Sequence, residues 1–162
     1  MLVVLGSPSS CATTIAFDGK ALAADSQSSA ITGFKVTGRK KIVKINECLI
    51  GSAGYVSDIK KFQEWFTDPC QRKPRLESFS AIVVMPGGDA YEYDESCIGN
   101  EIKAPFAIGS GAKAALAAMK AGAGARRAVE IASEVDIYTG GEIVEFPVTI
   151  RPIPQAPCTP GP

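Results

Sequence analysis

Thr13 and Thr14 open a short apolar run, Thr13-Thr-Ile-Ala-Phe17, directly behind the small residue Ala12. A threonine hydroxyl is a poor nucleophile unless a base sits beside it, and a threonine at a chain terminus carries its own base, the α-amine. An unperturbed α-amine titrates at about 7.7–8.0, so part of it is neutral at physiological pH. Inside a chain, two such residues only favour a strand. Asp25 closes the next apolar run, Ala21-Leu-Ala-Ala-Asp25, and by itself is a polar residue marking a strand end. Lys41 falls within Arg39-Lys40-Lys41, a charge run that reads most simply as a solvated face. In a pleated strand, however, Lys41 shares its face with Val43 and Ile45, and a lysine on an apolar face needs a partner such as Asp25. Gly109-Ser110-Gly111 and Asp136-Ile-Tyr-Thr139-Gly140-Gly141 are small-residue turns that expose hydroxyls and backbone N–H groups. Taken singly, Ser110 reads as a helix cap and Asp136 and Thr139 as turn residues.

Composition removes most competing chemistry. The chain has 162 residues and no histidine, which excludes Ser-His-Asp triads, Cys-His dyads and His-ligated metal centres. No metal or other cofactor is expected. The five cysteines, Cys11, Cys48, Cys70, Cys97 and Cys158, form no Cys-x-x-Cys pair and are odd in number, which argues for a reducing, cytoplasmic setting. Seventeen basic and seventeen acidic side chains cancel, so no field draws nucleic acid or an anionic membrane. No apolar run approaches bilayer length. The N-terminal Met1–Gly6 stretch lacks a basic region and is short for a signal peptide. A lipoprotein reading of Cys11 fits Pro8-Ser9-Ser10 poorly.

These residues must be placed by strands and paired helices. Runs 13–17 and 21–25 flank Asp18-Gly19, a tight-hairpin signal. Depending on whether that turn takes two residues or three, Asp25 falls diagonal to Thr13 or directly opposite it. Runs 40–45 and 47–54 turn at Asn46-Glu47. Ser57-Asp58 reads as the cap of a helix whose Ile59, Phe62, Trp65 and Phe66 share one face. Residues 67–77 form a loop, 79–85 and 89–93 a second hairpin, and 104–108 a strand leading into Gly109. Helices follow at 112–121 and 125–135, then a strand at 142–146. Strands and helices that do not alternate β with α suggest sheets packed on each other and covered by helices, an α+β fold.

As an ordered set, Thr-Thr-Ile-Ala, Ala-Ala-Asp-Ser, Lys-Lys-Ile-Val-Lys-Ile, Gly-Ser-Ala-Gly, Phe106-Ala-Ile-Gly-Ser-Gly and Asp136-Ile-Tyr-Thr-Gly-Gly resembles the β-type proteasome subunits and the bacterial HslV peptidase. The small, stand-alone bacterial or phage-related proteasome homologues are nearest in form. The resemblance implies a four-layer αββα Ntn-hydrolase sandwich over residues 13–146. Residues 1–12 would be a propeptide or an upstream extension, and 147–162 a Pro-rich tail expected to be disordered. It implies Thr13 as nucleophile, its freed amine as base, Lys41 to lower the hydroxyl's effective pKa, and Asp25 to balance Lys41. Ser110, Asp136 and Thr139 would complete the proton network. Gly54 would be the oxyanion donor, and Ser28, Arg39, Val43 and Ala53 the substrate pocket.

The departures bear on these roles. The Thr13–Asp25 hairpin is four residues shorter than usual, which preserves the side-chain faces because two residues leave each strand. Gly51-Ser-Ala-Gly54 is one residue shorter, with Tyr55 in place of a common second glycine. Ala12 stands where family propeptides end in glycine. The implied activity is a threonine endopeptidase acting on peptides or polypeptides within a homo-oligomeric ring, with room for an ATP-dependent unfoldase. Two alternatives stand beside it: an Ntn amidohydrolase acting on a small amide, and a catalytically silent ring-forming subunit. Cleavage before Cys11, giving a thiol nucleophile, is the alternative register.

Overall fold

A computed structural model describes residues 10, 11, 13–29 and 35–149; the Pro-rich tail beyond Thr149 lies outside the described residues. Five strands in succession start the fold: β1 (Ser10–Cys11), β2 (Thr14–Phe17), β3 (Ala21–Ala24), β4 (Ser28–Ser29) and β5 (Lys35–Val36). There follow β6 (Ile42–Ile45), β7 (Cys48–Tyr55), α1 (Val56–Thr67), β8 (Phe79–Val84), β9 (Ala90–Tyr93) and β10 (Gly99–Ile102). The chain closes with β11 (Phe106–Gly109), α2 (Ala112–Lys120), α3 (Ala125–Val135) and β12 (Val144–Pro147).

Two antiparallel sheets carry the architecture. One runs β7-β8-β9-β10, with β6 and β1 both along the outer edge of β7; the other runs β11-β2-β3-β12. The period of two along each strand sorts the apolar residues into three cores. Ile15, Phe17, Leu22 and Ala24 meet Ile42, Ala53, Ile82 and Ile108 between the sheets. Ala16, Ala21 and Ala23 face the other way, against Ala115, Met119, Ala128 and Val129 of α2 and α3. Ile50, Phe79, Ala81 and Val83 face α1 through Phe62. The layers are therefore α/β/β/α, as expected. Burying one large aliphatic or aromatic side chain contributes about 1.5–3 kcal/mol, so each core is a substantial hold on the sheet it covers.

Several local features follow from identifiable residues. The β2–β3 hairpin turns through two residues, with Phe17 opposite Leu22 and Asp18 N–H donating to Ala21 O at 3.3 Å. Asn46 and Glu47 both take positive φ, 49° and 65°, the primed turn that matches strand twist between β6 and β7. Asp18 accepts the N–H groups of Lys20 and Ala21 at 2.8 Å each, and its second oxygen accepts Ala125 N–H at 2.8 Å. Gly124 offers α3 no side-chain cap, so Asp18 supplies an anion at that helix N-terminus and fixes α3 against the hairpin.

The expected cap at Ser57-Asp58 does not form. α1 begins at Val56 after an extended Tyr55, and the buried Asp58 accepts Glu77 N–H at 2.8 Å and Ser78 N–H at 3.0 Å instead. That carboxylate anchors the returning loop rather than the helix end. Ile59, Phe62, Trp65 and Phe66 do share one face of α1, and it lies against the sheet. Phe62 is fully buried and stacks with Trp65, Phe66, Phe79 and Tyr93 at centroid distances of 4.4–5.7 Å. Among the described residues, no helix is long and apolar enough to cross a membrane.

Candidate active site

The two-residue hairpin sets Ile15 opposite Ala24, which carries Asp25 one step off Thr13, the diagonal placement. Asp25 is fully buried and every lone-pair direction is used. Its Oδ1 accepts Thr14 N–H at 2.9 Å and Lys41 Nζ at 2.8 Å; its Oδ2 accepts Gln27 N–H at 3.2 Å and Gly140 N–H at 3.0 Å. Lys41 Nζ also donates to Gln27 O. A buried ion pair tolerates loss of water only with such added hydrogen bonds. Lys41 is 5% exposed while Lys40 lies on the surface, so the apolar-face reading of Lys41 holds against the solvated-run reading.

Thr13 is fully buried and its hydroxyl has no hydrogen-bond partner among the described residues. Its carbonyl accepts Ser110 N–H at 2.8 Å, and the Ser110 hydroxyl sits 3.4 Å from the same oxygen. This approach needs Gly109, whose φ is +97° and where a Cβ would lie 1.8 Å from Thr13 O. Ser110 Oγ donates to Asp136 Oδ2 at 2.6 Å, and Thr139 Oγ1 donates to the same oxygen at 2.5 Å. Thr13, Asp25, Lys41, Ser110, Asp136 and Thr139 therefore converge where β2, β3, β11 and the end of α3 meet. Burial works to raise the Asp136 carboxyl, but the hydroxyls of Ser110 and Thr139 and the Tyr138 N–H outweigh it and hold Asp136 below the ordinary carboxylate value.

Gly54 lies at the end of β7 with φ +118°, and a Cβ there would meet Ser78 O at 2.2 Å. Ser52 N–H donates to Lys41 O at 3.0 Å across the β6 edge, whereas Tyr55 N–H donates to Ser78 O at 2.8 Å on the β8 side. Successive N–H groups of a strand alternate edges, so Gly54 N–H points to the Lys41 edge. Along that edge, just past β6, runs β1, with Cys11 opposite Gly54 and Ser10 opposite Tyr55.

The four expected pocket residues do not form one cavity. Arg39 and Val43 line a cleft of about 500 Å³ with Ser26, Lys41, Val144 and Phe146, and neither Ser28 nor Ala53 is in its walls. Ala53 belongs to the core between the sheets, the opposite face of β7 from Ile50, the cross-strand partner of Val43. Ser52, whose N–H bonds Lys41 O, stands opposite Lys41 instead, buried at 1% exposure with no partner for its hydroxyl among the described residues. Ser28 is buried in β4. Gln27, Gly140, Ser52 and Thr14 were given no role of their own by the sequence. Thr14, Ser52 and Gly140 stood inside the quoted motifs, and Gln27 carried no signal.

No family model matches the sequence, and no curated protein matches it. Solved structures do match. Thiobacillus denitrificans BPH, a bacterial proteasome homologue, superposes with a TM-score of 0.65 at 22% identity, covering 87% of this chain and 99% of its own. The same protein in complex with epoxomicin gives 0.64 at 18% identity, covering 86% and 99%. HslV from Trypanosoma brucei gives 0.63 at 22% identity, covering 83% and 97%. The αββα sandwich is thus that of the proteasome and HslV, over nearly the whole length of those chains.

Proposed function

We propose that this chain is a threonine-type endopeptidase of the proteasome-like kind, working from Thr13 as its N-terminal residue. The observation that carries the reading is the convergence on Thr13: Ser110 N–H on its carbonyl, and the buried Asp25–Lys41 pair held to the adjacent Thr14 N–H. A proteasome-like fold, one of whose members has been solved with epoxomicin, supports it.

In this mechanism the freed Thr13 amine takes the proton of the Thr13 hydroxyl as its oxygen attacks a peptide carbonyl. The Lys41 charge favours the developing alkoxide. Gly54 N–H, aimed along the Lys41 edge, donates to the tetrahedral oxyanion, a contribution of about 2.7–4 kcal/mol where such donors have been removed. The amine returns its proton to the departing nitrogen, and water then hydrolyses the ester on Thr13 Oγ1. Ser110, held by Asp136, offers its lone pairs to the protonated amine. While residues before Thr13 remain attached, no amine exists and β1 lies on the edge a substrate strand would use, so the precursor is silent. Cleavage of the Ala12–Thr13 bond switches it on.

The working form is a homo-oligomeric ring with the threonines facing inward, in the cytoplasm, fed by peptides or by an unfoldase. The test is intact mass and activity together. Active protein should begin at Thr13; Thr13→Ala should abolish peptide hydrolysis without unfolding, and Cys11→Ala should leave the mature enzyme unchanged. The opposite pair of results, Cys11→Ala dead and Thr13→Ala active, would move the nucleophile to Cys11.

A further inference from the structure

The mechanism above uses the Thr14 N–H but gives the Thr14 hydroxyl no part, yet Thr14 is as buried as Thr13 and that hydroxyl is engaged on both sides. The pleat of β2 sends Ile15 and Phe17 to the core between the sheets and Ala16 to the helix layer, and Thr14 shares the helix-layer side with Ala16. There Thr14 Oγ1 lies 2.6 Å from Thr139 Oγ1 and accepts Gly111 N–H at 3.0 Å.

The hydrogen positions in this chain follow by elimination. An ionised Asp136 has no proton to give, so Thr139 must donate to it. A hydroxyl has one hydrogen, so Thr139 must then accept from Thr14. The Thr14 proton is thereby committed, and its lone pair is committed to Gly111. One directed chain runs from Gly111 N–H through Thr14 and Thr139 to Asp136 Oδ2, the oxygen that also holds Ser110. The packing leaves no room for a side chain at Gly111. A Cβ at Gly111 would come 2.3 Å from Thr14 Oγ1 and 2.9 Å from Thr139 Oγ1.

We propose that Thr14 is a positioning residue for the Asp136–Ser110–Thr139 cluster, its hydroxyl fixing both the Gly111 backbone beside Ser110 and the direction of the Thr139 proton. The inference rests on the peptidase reading for its consequence, since what it positions is the serine that meets the Thr13 amine. Without the Thr14 hydroxyl, Gly111 N–H is a buried donor with no acceptor, and Thr139 is free to turn its hydrogen away from Asp136. Ser110 would lose its fixed place on both sides.

Thr14→Val keeps the branched shape and removes the hydroxyl, whereas Thr14→Ser keeps the hydroxyl and removes a methyl group. In mature protein assayed with a fluorogenic peptide, Thr14→Val should lower kcat roughly tenfold or more with KM within about twofold. Thr14→Ser should stay within about threefold of wild type in kcat. Equal impairment of both variants, or a wild-type kcat in Thr14→Val, would overturn the inference. The Gly111 amide gives a second readout that needs no activity: its hydrogen exchange should accelerate in Thr14→Val and not in Thr14→Ser. An inactive wild type would defeat the peptidase reading alone, and the Gly111 exchange would then decide Thr14. Should Thr14→Val not fold, the wild type suffices. Its Thr14 hydroxyl proton should be slowly exchanging by NMR with a cross-peak to Thr139, and a freely exchanging proton would refute the proposal.

Discussion

At the scale of single residues, the site separates charge that is buried from charge that is solvated. Lys40 and Lys41 are neighbours of one type, but only Lys41 is drawn inward, to Asp25 and Gln27. Lys41→Ala should lower peptide hydrolysis about 10²-fold or more, as when a preorganised group that stabilises developing negative charge is lost. Lys40→Ala should leave it nearly unchanged, because exposed substitutions move stability by only about 0.5 kcal/mol. Comparable losses in steady-state rates of the two variants would contradict the placement. Asp136 gives a second prediction, with a defined sign. Its carboxyl is held low by the Ser110 and Thr139 hydroxyls against the opposing effect of burial. A depressed folded pKa adds stability that is fully present above the ordinary value of about 3.9 and is lost as pH falls through the lower folded value. The stability difference between wild type and Asp136→Asn should therefore be flat from neutral pH down to about 5 and shrink below about 4. Urea melts across that range would show it, and a gap that widens toward acid would contradict the assignment.

At the scale of elements, what was legible in the sequence depended on strong period and turn chemistry. The β2–β3 and β6–β7 hairpins, the apolar face of α1, and the two alanine-rich helices all read correctly because each repeats its signal several times. β10, Gly-Asn-Glu-Ile, did not, since it is an exposed polar edge strand with no buried alternation to betray it. β4 and β5, of two residues each, are too short for any period. The pocket set failed at Ala53 for a different reason. Ala53 and the cross-strand partner of Val43, Ile50, stand an odd number of residues apart in β7 and so face opposite ways, and a resemblance carries positions over without counting pleats. Ser110 and Asp136 were legible as motifs, but the reason for their glycines was not. Gly109 is fixed by Thr13 O and Gly111 by Thr14 Oγ1, contacts across more than ninety residues of chain. Gly109→Ala should therefore be worse than a loss of backbone freedom, of order 1 kcal/mol. It forces β11 off β2, and a large fall in melting temperature together with loss of activity is expected; a stable, active Gly109→Ala protein would mean that Ser110 N–H does not bond Thr13 O.

At the scale of the whole molecule, three of the exposed large apolar residues lie together beside the chemistry. Val135, Ile137 and Tyr138 are 69%, 72% and 50% exposed and flank Asp136, while the aromatic residues of α1 are already used against the sheet. Sizeable apolar patches rarely face water on monomers. A partner seated on 135–138 would also fix the loop that holds Asp136 and Thr139, so assembly and activity should be linked. Gln27 Nε2 reinforces that link, since it donates to Ile137 O at 3.1 Å while its own backbone joins the Asp25–Lys41 pair. If the neighbour is another copy, ring closure places every site in the same orientation toward one chamber, which suits a peptidase that must spare folded proteins. Light scattering of mature protein at micromolar concentration should then give about six or more subunits in a closed assembly. Ile137→Glu should shift the mass toward smaller species and lower the activity per chain in the same proportion. A monomeric wild type with full activity would separate the two properties and leave the 135–138 surface to some other partner.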